Sequence, residues 1–278
     1  MNQASNQLEL LNAASSYYSM VARLALVEAD IPFYNHMLDI HFAKQQLSDR
    51  YRELNPQMTV PTLRAENLLL TSSKDILQWA ACQAGSSWMD SDISLTLLIN
   101  ELVSNHYLIS IEDLTFGKWL SSNKLLAFVF PRMLASIVKR LENQLESVDS
   151  LSPVDIIALK NKAQLNRSRL AYFTEGSQKQ KLEDMRLKWS NYLHTIPLIE
   201  SNQFIFGDRF SSIDVVLAVL FARLTMINET SLIDRPDLQN WWGRVQLRGS
   251  LRVADLWMRM QRRRLLLTAW KARNTVVN

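Results

Sequence analysis

Cysteine is almost missing from the 278 residues. Cys82 stands alone and can close no internal disulfide, so nothing in the chain demands an oxidising compartment and a reducing, cytoplasmic setting fits. Glycine is scarce as well, six in all, in keeping with a helix-rich chain. Long hydrophobic runs are absent. The longest, Val215 to Ala222, falls far below the roughly 18 residues a membrane crossing needs. The opening MNQASNQLEL has no basic stretch followed by an apolar core, so no secretory signal is expected. The chain also lacks internal repeats, a glycine-rich phosphate loop and any His/Cys cluster with metal spacing, so no metal site is expected. Its 47% hydrophobic content is that of a soluble globular protein, as one large domain or two ordinary ones.

Charge is lopsided. From Arg252 to Asn278 seven Lys or Arg face one acid, Asp255, a local charge of +6 in a chain whose net charge is +4. The body before it is therefore slightly acidic. It has no basic stripe interleaved with aromatics, which argues against nucleic acid as a partner.

Along the chain the signals change character once. Leu8 to Leu11 reads as a strand, and Val21, Leu24, Ala25 and Glu28 as one helix face. Phe33 to Ile40 reads as a second strand, and Ala43 to Glu53 as a weaker helix. Val60 to Leu63 and Leu68 to Leu70, separated by Arg64 to Asn67, read as a hairpin, followed by a helix from Ser73 to Ala84 that Gly85 stops. The order βαβαββα makes a small α/β layer domain over residues 1–85. After the polar stretch Gly85 to Asp92, helical periodicity takes over, so residues 92–278 are expected to be all α. Helices are expected near Ser94–Trp119, Pro131–Ser147, Pro153–Tyr172, Lys179–Ile199, Ser212–Asn228, Pro236–Gln246 and Leu251–Ala272. Ser211 and Asp214 form a capping-box start for the run Val215 to Leu220, a folding role. Cys82, beside Trp79, Ala80 and Ala81, is expected to be a small buried hydrophobe.

Three stretches carry a likeness. Ser15, Ser16, Tyr17, Tyr18, Ser19 and Met20 lead into Arg23, Leu24 and Ala25. Asn55 and Pro56 precede Val60, Pro61, Thr62 and Leu63, followed by Ser72, Ser73 and Asp75. Phe206, Gly207 and Asp208 precede Ser211, Ser212, Ile213 and Asp214. In this order they resemble the cytosolic-type glutathione transferases, most nearly the tetrachlorohydroquinone dehalogenase branch, which shares Arg23, Leu24 and Ala25 and the later Phe221 to Leu224 and Arg235 to Leu238. The likeness covers about the first 85 residues and about 75 before the tail. The stretch of roughly 115–200 matches less, and its length resembles the ganglioside-induced differentiation-associated proteins.

The resemblance implies a thioredoxin-like glutathione-binding domain, an all-α domain that receives the second substrate, and a homodimer. Glutathione is then the co-substrate. Its thiol has an ordinary pKa near 8.5, and lowering it by about two units requires about 2.7 kcal/mol of differential stabilisation. A hydroxyl aimed at sulfur beside a helix N-terminus is a plausible source. Ser16 aligns with the family's serine position and is the expected donor, with Ser15, Tyr17 and Tyr18 as alternatives. Val60 and Pro61 would form a cis peptide presenting the Val60 backbone to glutathione as an added strand. Ser73 opens a helix whose N–H groups suit the γ-glutamyl carboxylate, Ser72 stands where the family has an acid or Gln, and Lys44 or His41 would reach the glycyl carboxylate. Tyr18 occupies the position of the branch's catalytic cysteine, so a mixed disulfide has no partner there. Tyr107, Phe116 and Trp119 are candidates for lining the acceptor pocket.

The expected activity is thus conjugation of glutathione to small apolar electrophiles through a serine-stabilised thiolate. The alternative is a non-catalytic binding or scaffolding protein of the same fold, since Ser72 and Met58 depart from the family pattern. The basic tail, taken as one helix from Leu251 to Ala272, is expected to pack on the body or to touch an anionic membrane surface peripherally.

Overall fold

The computed structural model describes residues 7–85, 88, 92–146, 151–198 and 202–273. The apolar run near the N-terminus becomes β1 (Glu9–Asn12), and it is apolar on both sides because both faces of the sheet are covered. Leu10 joins the main core beneath α1 (Tyr17–Glu28) and α3 (Ser73–Ala84), while Leu11 points to Tyr51 of α2 (Asp49–Leu54). The sheet runs β2–β1–β3–β4, with β2 (Tyr34–Met37) parallel to β1, and β3 (Thr62–Ala65) and β4 (Leu68–Leu70) antiparallel. This is the expected thioredoxin-like layer. Two expected elements are shorter than anticipated. The second strand ends at Met37, because the Asp39 carboxylate gathers the N–H groups of His41, Phe42 and Ala43 into a turn. The second helix splits into a 3-10 turn (Gln45–Leu47) and α2, divided by Ser48, whose hydroxyl caps α2.

Beyond α3 every element is helical. The connector read as Gly85 to Asp92 lies mostly outside the described residues. The expected helix Ser94–Trp119 is two helices, α4 (Ile93–Leu108) and α5 (Ile111–Ser122). Ile109 is extended and Ser110 caps a new start by accepting the Asp113 N–H at 3.1 Å. α6 (Lys124–Glu146) begins earlier than Pro131, which sits inside it. Asn123 accepts the Leu126 N–H at 3.0 Å and opens the helix two turns sooner. α6 returns through α7 (Pro153–Thr174) as an antiparallel hairpin. Phe130 meets Phe173 at one end, and Leu141 meets Ala158 and Leu159 at the other.

α8 (Gln178–His194) lies on α5, and α9 (Ser212–Met226) runs through the middle of the helical domain with nearly every side chain buried. Asp214 starts α9 as expected. Its carboxylate accepts the N–H groups of Ser211 and Ile205 and the Trp241 Nε1–H, each at 3.0 Å, and burial pushes it up to about 6. α10 (Pro236–Val245) follows. The expected helix Leu251–Ala272 is broken into α11 (Gly249–Val253) and α12 (Arg262–Arg273). Asp255 takes a left-handed conformation (φ 56°) and Trp257 plunges into the core, fully buried. Cys82 is exposed rather than buried, since α3 turns Ile76, Leu77, Ala80 and Ala81 inward and leaves Cys82 on the other side.

Candidate active site

Ser16 stands where β1 hands over to α1. It is the N-cap of α1 (φ −69°, ψ 127°), and its Oγ accepts the Ser19 N–H at 3.3 Å. An N-cap hydroxyl that accepts from the helix keeps its own proton to donate elsewhere. The three carbonyls before it are each held by a buried guanidinium. Arg23 donates to Ala13 O (3.3 Å) and Ala14 O (3.1 Å), and Arg223 of α9 donates to Ser15 O (2.9 Å). Arg23 also bonds Asn12 Oδ1 and the carbonyls of Ala254 and Asp255, so one side chain ties the loop to the segment after α11. Burial lowers both guanidinium groups to about 10.

Arg223 differs from Arg23 in its company. It is 6% exposed, its Nε has no partner, it pairs with no carboxylate among the described residues, and its carbon lies 5.6 Å from the centre of the Tyr17 ring. A buried cation without a counter-charge thus sits one peptide from Ser16. Such a charge is unfavourable by itself and strongly attracts an anion.

The neighbouring hydroxyls have other tasks. Tyr17 is buried, its oxygen 2.8 Å from His106 Nε2, and it donates to Val216 O at 3.4 Å. Burial pushes its phenol well above the ordinary value. His106 is pushed down by burial to about 3 and is therefore neutral near pH 7. Ser15 Oγ lies 2.8 Å from His41 Nε2. Tyr18 is half-buried and stacks on Tyr107 at 6.2 Å, with burial raising its phenol.

The Val60–Pro61 peptide is cis. Val60 packs with Leu11, Ala13 and Tyr51, which brings this loop beside the one carrying Ser16. The fully buried Asn55 amide donates to Thr59 O (2.9 Å) and Thr71 O (3.2 Å), so the cis-proline loop and the approach to α3 are fastened together. Ser73 opens α3, and its Oγ lies 2.9 Å from the Tyr107 hydroxyl. Ser72 is the N-cap of α3, where its Oγ accepts the Asp75 N–H at 3.1 Å and donates to the Asp75 carboxylate at 2.7 Å. Three backbone features therefore lie at one end of the sheet: the start of α1, the cis-proline loop and the start of α3. Lys44 takes a left-handed conformation at the 3-10 turn. Phe116 packs into the root of the α6–α7 hairpin, stacking on Phe130 at 4.6 Å, Trp119 lies against Phe116 and the main core, and Tyr107 stays beside Tyr18. Among the described residues no group of His, Cys, Asp or Glu is placed to hold a metal ion.

Arg223, Arg23, Asn55 and His106 escaped the sequence reading as site residues. The signal was present for Arg223, a lone charge in the apolar run from Val215 to Leu224.

A thioredoxin-like sheet with a cis-proline loop, followed by a helical domain, defines the glutathione transferase class of fold. The solved structures agree. A diazinon-metabolising glutathione S-transferase of the silkworm Bombyx mori superposes with a TM-score of 0.56 at 14% identity, covering 90% of this chain and 97% of its own. Human glutathione S-transferase T1-1 gives 0.56 at 15% identity over 95% and 97%. A family member from Pseudomonas fluorescens with two glutathione bound gives 0.56 at 13% over 92% and 95%. Residues 10–88 match the model of the glutathione S-transferase N-terminal domain. Tetrachloro-p-hydroquinone reductive dehalogenase of Sphingobium chlorophenolicum is 24% identical over 250 residues, covering 89% of this chain and 95% of that protein. The chain has the glutathione transferase fold, and its first domain is similar to that family's N-terminal domain.

Proposed function

We propose that this protein is a cytoplasmic, homodimeric glutathione transferase that activates the thiol of glutathione at Ser16 and transfers it to a small apolar electrophile. Residues 1–85 hold glutathione and residues 92–278 receive the acceptor. The observation that carries this reading is Ser16 itself, whose oxygen accepts from Ser19 and whose proton is free. Glutathione lies along the Val60 backbone beside Pro61, its γ-glutamyl carboxylate at the N–H groups that Ser72 and Ser73 leave unpaired at the start of α3. Arg223 adds positive potential behind the loop. Tyr18 and Tyr107 present an aromatic wall to the acceptor.

The test is Ser16→Ala with a chloronitrobenzene acceptor. The turnover is expected to fall ten-fold or more near neutral pH with glutathione affinity almost unchanged, since loss of one preorganised donor costs on the order of 3 kcal/mol. Full activity in Ser16→Ala with loss in Tyr18→Phe would move the donor role to Tyr18.

One observation favours a second reading, a non-catalytic protein of this fold. The Ser72 hydroxyl is spent on Asp75, so it is not free to hold the glutathione ammonium. Calorimetric titration decides between them: absence of saturable heat at millimolar glutathione would support the non-catalytic reading.

A further inference from the structure

A cavity of about 410 Å³ opens between the loop before the cis peptide and α7. Neither Ser16, Val60, Pro61, Ser72 nor Ser73 lines it. Its walls are hydrocarbon from Pro56, Val154, Ile157, Ala158 and Leu165. Three of these are open to solvent on one face of α7: Val154 is 63% exposed, Ile157 59% and Leu165 42%. That size and lining match the common small-molecule pocket, a mostly apolar cleft with few polar groups.

Beside the polar Gln57, Thr59 and Asn161, the one charged side chain in the lining is Lys162. Lysines on helices usually extend to water, but Lys162 is 9% exposed and turns inward, its ammonium donating to Gln57 O at 3.1 Å. An ammonium carries three donors, and this is its one hydrogen bond among the described residues. Among the described residues no carboxylate pairs with it. Asp155, about two turns earlier on α7, is engaged by Arg52 at 2.7 Å and by Ser152. Burial lowers the ammonium to about 8, the mark of a cation that lacks its anion.

We propose that this cavity is a second ligand site that takes an amphipathic carboxylate, its chain along Val154, Ile157 and Leu165 and its carboxylate on the Lys162 ammonium. A single ammonium with two open donors fits a monoanion. The apolar walls fit an unbranched hydrocarbon body.

The test is calorimetric titration of the full chain with decanoate and with decanol, the same body without the charge. Wild type is expected to bind decanoate saturably at one site and decanol about ten-fold or more weakly, the usual scale of a charged hydrogen bond. Lys162→Met should lose that margin for decanoate, keep its decanol affinity, and melt no lower than wild type, because an apolar side chain of similar volume replaces an unpaired buried charge. Ile157→Asp should weaken both ligands. Glutathione affinity should stay unchanged in both variants. Equal decanoate affinity in wild type and Lys162→Met, or no saturable decanoate binding by wild type, would overturn the proposal. So would a drop in glutathione affinity in Lys162→Met, which would assign Lys162 to the glutathione cleft. Failure of wild type to bind glutathione would sink the transferase reading and leave this one standing.

Discussion

In the proposed transferase reading, Ser16 and Arg223 divide the work of holding a thiolate between a short-range donor and a longer-range charge. Arg223 reaches the loop through Ser15 O, and no carboxylate among the described residues pairs with it. On that reading its charge favours the ionised thiol, and its loss is expected to raise the thiol pKa. Arg223→Gln is expected to shift the pH–rate profile of glutathione conjugation to higher pH by about one unit, equivalent to about 1.4 kcal/mol. Arg223→Lys should restore part of the shift. An unshifted profile with uniformly lower activity would show that Arg223 only supports the loop. His106 makes a different pH prediction. It stays neutral in the fold down to about 3, while the unfolded chain takes up a proton near 6.5. Its contribution is fully present above 6.5 and is lost as the pH falls toward 3, at no more than about 1.4 kcal/mol per pH unit. Urea unfolding at about pH 7 and about pH 5 should show this slope in wild type and a smaller one in His106→Phe.

Among the elements, α12 is the least committed to the body. Leu265 touches the core, but Leu266, Leu267 and Trp270 are 58%, 59% and 63% exposed beside Arg262 and Arg263. The expectation that a final helix packs down on the body is met at its first turn, where Arg264 bonds Asp255. An exposed face both basic and apolar suits an anionic lipid surface, where each basic residue contributes about 1 kcal/mol. Full-length protein is expected to co-sediment with phosphatidylserine vesicles at low salt and a form ending at Gln261 to stay in solution. Equal behaviour of the two forms would reject the membrane contact. Truncation at Gly249 would be the wrong control, because it strips Ala254, Asp255 and Trp257 from the core. The α6–α7 hairpin is the opposite case, anchored at both ends: Phe130 and Phe173 lie against Phe116, and Leu141, Ala158 and Leu159 against Leu47 and Met58.

Across the whole molecule, sheet and helices share one core. Leu10, Met20 and Leu63 belong to the same cluster as Trp189, Leu220 and Trp257. Arg23 binds the two parts by hydrogen bonds to both Ala14 and Ala254. One cooperative thermal transition is expected by calorimetry. Arg23→Met should lower stability by about 3–5 kcal/mol, since it strips donors from several buried carbonyls at once. Two separate transitions in wild type would show that the domains unfold independently.

Local chemistry determined much of this protein from the sequence alone. The helix Ser73–Ala84, the hairpin of β3 and β4, the Asp214 cap and the family likeness through Ser16, Val60 and Pro61 all depend on neighbours a few residues apart, which a sequence displays directly. Only the tertiary structure decided the rest. It cut the tail at Asp255 because Trp257 is drawn into a core built by residues far away. It divided the loop hydroxyls by giving Tyr17 to His106, 89 residues on, and Ser15 to His41. It also turned Arg223 and Lys162 inward, the first a lone charge in an apolar run and the second a cation whose sequence surroundings are ordinary. Burial and charge pairing are sums over contacts distant in the chain, and those sums exist once the chain has folded.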